Sequence, residues 1–186
     1  EVEHIVAKSE GGSLTEWNNF LLCCKICNTI KGKKVINNDY HWPHLNNTFY
    51  SFIYDETGRI KVNEKMPELS QIRAQNLLNL VELQRLPKTN NLPSHTDYRW
   101  RDRWETWEKA SRSKEQFLNG SITENDVIML AKSCGQWSIW FTVFKGIDSV
   151  RARLISDFPG TCASCFDANN HYEPIERNPS NNEDPI

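Results

Sequence analysis

Glu3 and His4 stand side by side near the start of the chain, and Asn28 directly follows a Cys24-x-x-Cys27 pair. A carboxylate, an imidazole and a carboxamide are the groups needed to hydrolyse a phosphodiester near neutral pH. The reaction needs a water relieved of a proton and a cation to meet the charge that builds on the leaving oxygen. Histidine titrates near neutrality, which suits His4 to the role of base. A hard divalent cation prefers oxygen ligands, which Glu3 and Asn28 can supply. Lys31 lies one helical turn beyond Asn28, within reach of a phosphate, whereas Lys33 and Lys34 read as a solvated face.

These groups need a scaffold. Adjacent residues on an extended segment point to opposite faces, so Glu3 and His4 can serve one site only at a strand end on the rim of a small hairpin. Residues 9–13, with Gly11-Gly12, read as the loop of that hairpin. Residues 20–23 read as its second strand, and the lysine-rich stretch from Asn28 as a helix whose first turn can carry a ligand. Strand, loop, strand, helix is enough to gather Glu3, His4 and Asn28.

The string Glu3-His4-Ile5, Gly11-Gly12, Trp17-x-Asn19-Phe20-Leu21-Leu22, Cys24-x-x-Cys27-Asn28-x-x-Lys31-Gly32 resembles the HNH endonucleases with a ββα-metal site. The resemblance implies His4 as general base and Glu3 and Asn28 as ligands of a catalytic Mg²⁺ or Mn²⁺. It implies Asn19, with Asn18 as a one-residue slip, as the group that positions the base. It covers residues 1–34.

Cysteines fall at 23, 24, 27, 134, 162 and 165, and Cys162-x-x-Cys165 repeats the knuckle spacing of Cys24 and Cys27. Many relatives of the HNH class carry an upstream Cys-x-x-Cys, so that two knuckles share a structural Zn²⁺. This chain opens almost at the motif and without a methionine, so a preceding segment with such a pair is one expectation. A four-sulfur site completed by Cys162 and Cys165 is another, and reduced core thiols are a third. Disulfides and a catalytic thiol have no support in the pattern.

The chain has 186 residues, seven of them tryptophan, and is 38% hydrophobic, which is enough for one or two globular domains. No apolar run approaches the ~20 residues needed to span a bilayer and no signal peptide is visible, so a cytoplasmic protein is expected. Its 22 basic and 24 acidic residues give a net charge of −2, a poor footprint for gripping long nucleic acid unaided. A nuclease that borrows its grip from a partner fits that balance better.

Downstream, residues 47–54 and 58–62 alternate around a turn and predict a β-hairpin, and His41 and His44 read as structural. Helical patterns follow over 67–86 and 98–117. In the second, Trp100, Trp104 and Trp107 recur at helical spacing and predict a buried stripe, leaving Arg99, Arg101 and Arg103 as candidate phosphate or partner contacts. Thr123 with Asp126 predicts a capped third helix, residues 137–144 a core segment, and residues 148–158 a last helix. The fold class expected is α+β: an HNH unit over 1–50, a hairpin connection over 51–66, a helical partner-docking domain over 67–168 and a disordered tail over 169–186.

Tyr40-x-Trp42-Pro43, Tyr98-Arg99-Trp100, Ser138-Ile139-Trp140-Phe141-Thr142-Val143-Phe144 and Phe158-Pro159-Gly160-Thr161 resemble the HNH subunit of Septu-type antiphage systems and related retron effectors. That resemblance implies nucleic acid as substrate, an ABC-like ATPase as partner, and docking through the helical half. The reading from sequence is thus a metal-dependent endonuclease. A silent zinc-knuckle binding module or an ATPase scaffold is the alternative.

Overall fold

The structure, a computed structural model, describes residues 1–34, 36 and 39–177. Strand β1 (Val2–His4) pairs antiparallel with β2 (Phe20–Leu22), setting Val2 against Leu22, Glu3 against Leu21 and His4 against Phe20. The connecting loop folds back on itself at Gly12, where a Cβ would lie 1.9 Å from the Val6 carbonyl oxygen, so only glycine fits. Helix α1 (Lys25–Lys31) follows at once, its N-terminus capped by the Cys24 sulfur, which accepts from the Cys27 N–H at 3.4 Å.

Asn47 caps a short helix, α2 (Thr48–Ser51), which runs straight into β3 (Phe52–Tyr54) and its antiparallel partner β4 (Ile60–Val62). The sequence pattern placed strand from residue 47. The first half is helical instead, because the Asn47 Oδ1 accepts the N–H groups of Phe49 and Tyr50 at 3.1 and 3.2 Å. Helix α3 (Glu68–Val81) then closes over both hairpins. Its Leu80 packs with Ile5 and Trp42, and its Ala74 and Leu78 pack with Phe52, Ile60 and Met66.

The remaining helices are α4 (Arg99–Leu118), α5 (Glu124–Cys134), α6 (Trp137–Val143) and α7 (Asp148–Ser156). Helix α5 starts with a full capping box, the Thr123 hydroxyl and the Asp126 carboxylate each answering the other's backbone. Trp140, Phe141 and Phe144 fill the middle of this body against Val127, Ile128, Val150 and Leu154. Each large apolar side chain buried there contributes up to about 3 kcal/mol, an upper figure for area removed from water.

Helix α4 departs from its expected register. Arg99, Arg103, Thr106, Ala110 and Ser113 form the buried stripe, while Trp104 is 42% exposed. The tryptophan stripe was therefore set one position off. The arginines go inside because carbonyls meet them there: Arg103 Nε donates to Gly58 O at 2.8 Å and Nη2 to Leu83 O at 3.1 Å. The β3–β4 turn comes so close to α4 that a Cβ on Gly58 would stand 2.5 Å from the Trp100 carbonyl oxygen. Of the three arginines, Arg101 is exposed, stacked over the Tyr98 ring at 4.4 Å.

The expected tail also begins too early. Residues 169–177 are built into the fold: β6 (Glu173–Pro174) pairs with β5 (Phe166–Asp167), and Glu173 meets the buried Arg151 at 2.9 Å. Arg177 donates to His44 O at 2.8 Å. Polar composition hid these residues because their anchors are backbone carbonyls and one buried guanidinium. The rest of the expected tail, residues 178–186, lies outside the described residues. No helix among the described residues is long and apolar enough to cross a membrane.

His41 is buried, with Nδ1 2.9 Å from the Ser51 hydroxyl. Burial, with the Arg73 charge beside it, pushes its pKa below the usual histidine value, against a smaller upward pull from Glu176. Burial and Arg177 do the same to His44. The folded chain therefore holds fewer protons than the unfolded one, where histidines titrate near 6.5. Stability from this source is complete above about pH 6.5 and is lost as pH falls through that value toward the lower folded pKa. Urea midpoints are expected to drop between pH 7.5 and 5.5, and to drop less in His41→Asn, which keeps a partner for Ser51. An identical pH dependence in the variant would remove His41 as the cause.

Candidate active site

Alternation along β1 divides its side chains between two faces. Glu3, and Glu1 two residues before it, face α1. Asn28 Nδ2 donates to Glu1 Oε2 at 3.0 Å, and Lys31 Nζ donates to Glu3 Oε1 at 2.7 Å and to the His4 carbonyl at 2.8 Å. Lys31 is only 4% exposed. The pair lies at the wall of an apolar cavity of about 150 Å³ lined by Ile5, Leu21, Trp42, Leu78 and Val81, among others. Low polarity strengthens the attraction, but desolvating both charges offsets much of it, so the pair fixes geometry more than it stabilises. Lys31, read from sequence as a phosphate contact, is thus turned inward, bracing the strand that carries His4.

His4 is the last residue of β1, and its side chain is on the other face. Its ring meets the edge of Phe20 at 4.8 Å with the planes at 80°, and Phe20 meets Trp17 at 6.2 Å in the same manner. His4 Nε2 is buried in this packing and has no hydrogen-bond partner among the described residues. An imidazole nitrogen left so is costly unless a water or substrate atom completes it.

Asn19 is buried between the strands and the loop. Its Oδ1 accepts from Val6 N at 2.8 Å, its Nδ2 donates to Val6 O at 3.2 Å and Ser13 O at 2.9 Å, and its own carbonyl accepts from Ile5 N at 2.8 Å. The side chain clamps the backbone that leaves His4 and bonds to none of the imidazole atoms in these contacts. Asn18 is exposed beside it.

The two knuckles do not meet. Cys24 caps α1, and the Cys27 sulfur accepts from Arg99 Nη1 at 3.1 Å. Burial pushes the Cys27 thiol up to about 11, the nearby guanidinium pulling it back only in part. Cys162 and Cys165 lie with their sulfurs 3.0 Å apart beside the helical core. Among the described residues no three His, Cys, Asp or Glu side chains converge. The four-sulfur site across the chain is therefore not formed, and Cys24 with Cys27 supply two zinc ligands where a structural site takes four.

For a catalytic cation the donors differ in kind. Glu1, Glu3 and Asn28 bring two carboxylates and a carboxamide to the α1 face, an oxygen set that suits Mg²⁺ or Mn²⁺. Lys31 engages one of the two Glu3 oxygens. Glu1 was missed in the sequence, although its spacing of two from Glu3 on a strand is the signal that puts both carboxylates on one face. Arg99 was read as a surface contact, and only the folded chain shows its bonds to Cys27 and to the Val81 and Glu82 carbonyls.

The acid, the histidine and the asparagine are thus carried by a strand, strand and helix in sequence order. Residues 1–34, which span β1, β2 and α1, match the family model for HNH endonuclease. No curated protein and no solved structure matches the chain.

Replacing Asn19 by alanine removes three side-chain hydrogen bonds and strands the Val6 N–H. Asn19→Ala is expected to lower the free energy of unfolding by about 2–3 kcal/mol, against less than about 0.5 kcal/mol for Asn18→Ala. Urea titration of both variants checks this. Equal losses would deny the clamp.

Proposed function

We propose that this chain is a divalent-metal-dependent endonuclease that hydrolyses nucleic-acid phosphodiester bonds. The observation supporting this most strongly is that the HNH-matched residues fold into a hairpin whose strand end bears Glu3-His4, with Asn28 and Lys31 reaching it from the next helix. His4 takes the proton of the attacking water at its imidazole. Phe20 sets the plane of the ring, Lys31 fixes the strand carbonyl behind it, and Asn19 holds the backbone that follows. Glu3 and Asn28, with Glu1 beside them, would hold Mg²⁺ or Mn²⁺. When bound, the cation supplies positive charge for the scissile phosphate and leaving oxygen.

The net charge of −2 supports a substrate grip shared with a partner. The resemblance to Septu-type subunits extends the proposal to an ABC-like ATPase and an antiphage role. Exposed Leu69 and Ile72 on α3 and Met129 on α5 give the helical half apolar surface for such an association. One observation favours the alternative of a silent binding module: the Lys31 ammonium already neutralises Glu3.

Cleavage of plasmid DNA and total tRNA, with Mg²⁺ or Mn²⁺ and with or without a co-purified ATPase, separates the readings. His4→Ala is expected to lower the rate at least about 100-fold with the fold intact by circular dichroism. Asn28→Ala is expected to raise the metal concentration needed for half-maximal rate as well as to slow cleavage. Activity retained in His4→Ala would remove the mechanism. Binding without cleavage by the unmodified chain under every condition would decide for the silent module.

A further inference from the structure

The β1–β2 hairpin has two faces, and one is spent. Glu3 and Leu21 point into the protein, toward α1, Trp42 and α3. Val2, His4, Phe20 and Leu22 share the other face, and Trp17 stands at its edge, 76% exposed. Trp17 is not on a loose loop. It opens a 3₁₀ turn in which Asn19 N–H donates to Glu16 O at 3.0 Å and Phe20 N–H closes on Trp17 O. The buried Asn19 side chain anchors that turn to Val6 and Ser13. The indole therefore projects from a fixed backbone, and a single ring, Phe20, separates it from His4.

We infer that Trp17 is a stacking platform for an unpaired nucleobase beside the phosphodiester whose attacking water His4 activates; this rests on the nuclease reading above. A nucleic acid lying along the outer face with its phosphate at His4 brings a neighbouring base over the indole. Flat aromatic surface is what a base stacks on, whatever its identity, and a base held in a duplex stack cannot reach it. The exposed Asn18 carboxamide is next to the platform and can meet a base edge. The substrate class is thus single-stranded nucleic acid, or a duplex opened at a loop, bulge or end. Stacking acts sequence-tolerantly, which suits a chain whose charge gives it little grip on the backbone.

The test uses oligonucleotides carrying 2-aminopurine at successive positions, whose fluorescence reports stacking. They are titrated, without added divalent metal, into the His4→Ala chain, in which cleavage is expected to be at least about 100-fold slower, with Trp17 intact, Trp17→Ala or Trp17→Phe. Trp17 is exposed, so its replacement leaves the fold in place, as a thermal melt verifies. The expected result is quenching at one or two positions of the single strand and none in a blunt duplex. Affinity should fall about ten- to hundredfold in Trp17→Ala and largely return in Trp17→Phe. In the cleaving chain the same loss should appear in KM, with kcat little changed. Equal quenching and affinity with and without Trp17 would overturn the inference while cleavage stood. Loss of association with a protein partner, with nucleic-acid binding unchanged, would overturn it in favour of a protein contact. Quenching that depends on Trp17 in a chain that never cleaves would uphold the platform and refute the nuclease reading alone.

Discussion

In a three-residue strand the side chains must alternate, and β1 cannot send Glu3 and His4 the same way. That constraint organises the N-terminal third of the molecule. Carboxylates go toward α1, where an amide and a buried ammonium meet them. The imidazole goes to the open face, against the edge of an aromatic ring. Lys31 joins the two sides, because the same ammonium that pairs with Glu3 also holds the His4 carbonyl. Moving either strand by one residue would exchange its faces, turning Glu3 away from Lys31 or Leu21 away from Trp42.

The hairpin and α1 are too small to hold this arrangement by themselves, and one guanidinium ties them to the rest. Arg99, at the first turn of α4, donates to the Cys27 sulfur of α1, to the Val81 and Glu82 carbonyls at the end of α3, and to both oxygens of Asp97. Burial alone would raise the Asp97 carboxyl, but the Arg99 bonds and charge more than offset it and hold the carboxyl below the usual range. A buried arginine with its donors met in this way fixes three elements at one point.

What could be read from the sequence was whatever is settled by near neighbours. The Thr123–Asp126 capping box, the start of α3, and the strand-strand-helix order at the N-terminus all rest on residues a few positions apart. The interior of α4 could not be read, because Arg103 is buried by carbonyls at Gly58 and Leu83, far from it in sequence. The inward turn of Lys31 and the ordered residues 169–177 escaped for the same reason. A lysine and a polar segment look solvated until their distant partners are in place. At the candidate site the residue types carried the expectation of a chemistry, but the division of Glu3 and His4 between faces made their supports, Lys31 and Phe20, visible only in the fold.

Asn47 carries a consequence for how the chain assembles. Its Oδ1 caps α2 locally, but its two amide hydrogens go to the carbonyls of Cys165 and Ile175, 118 and 128 residues further on. Those hydrogens have no protein acceptor until nearly the whole described chain has been synthesised. Helix α2 is thus fixed at its start by a segment that lies more than a hundred positions downstream. Docking of α2 against the segment that carries β5 and β6 is therefore a late, long-range event of folding rather than a local one.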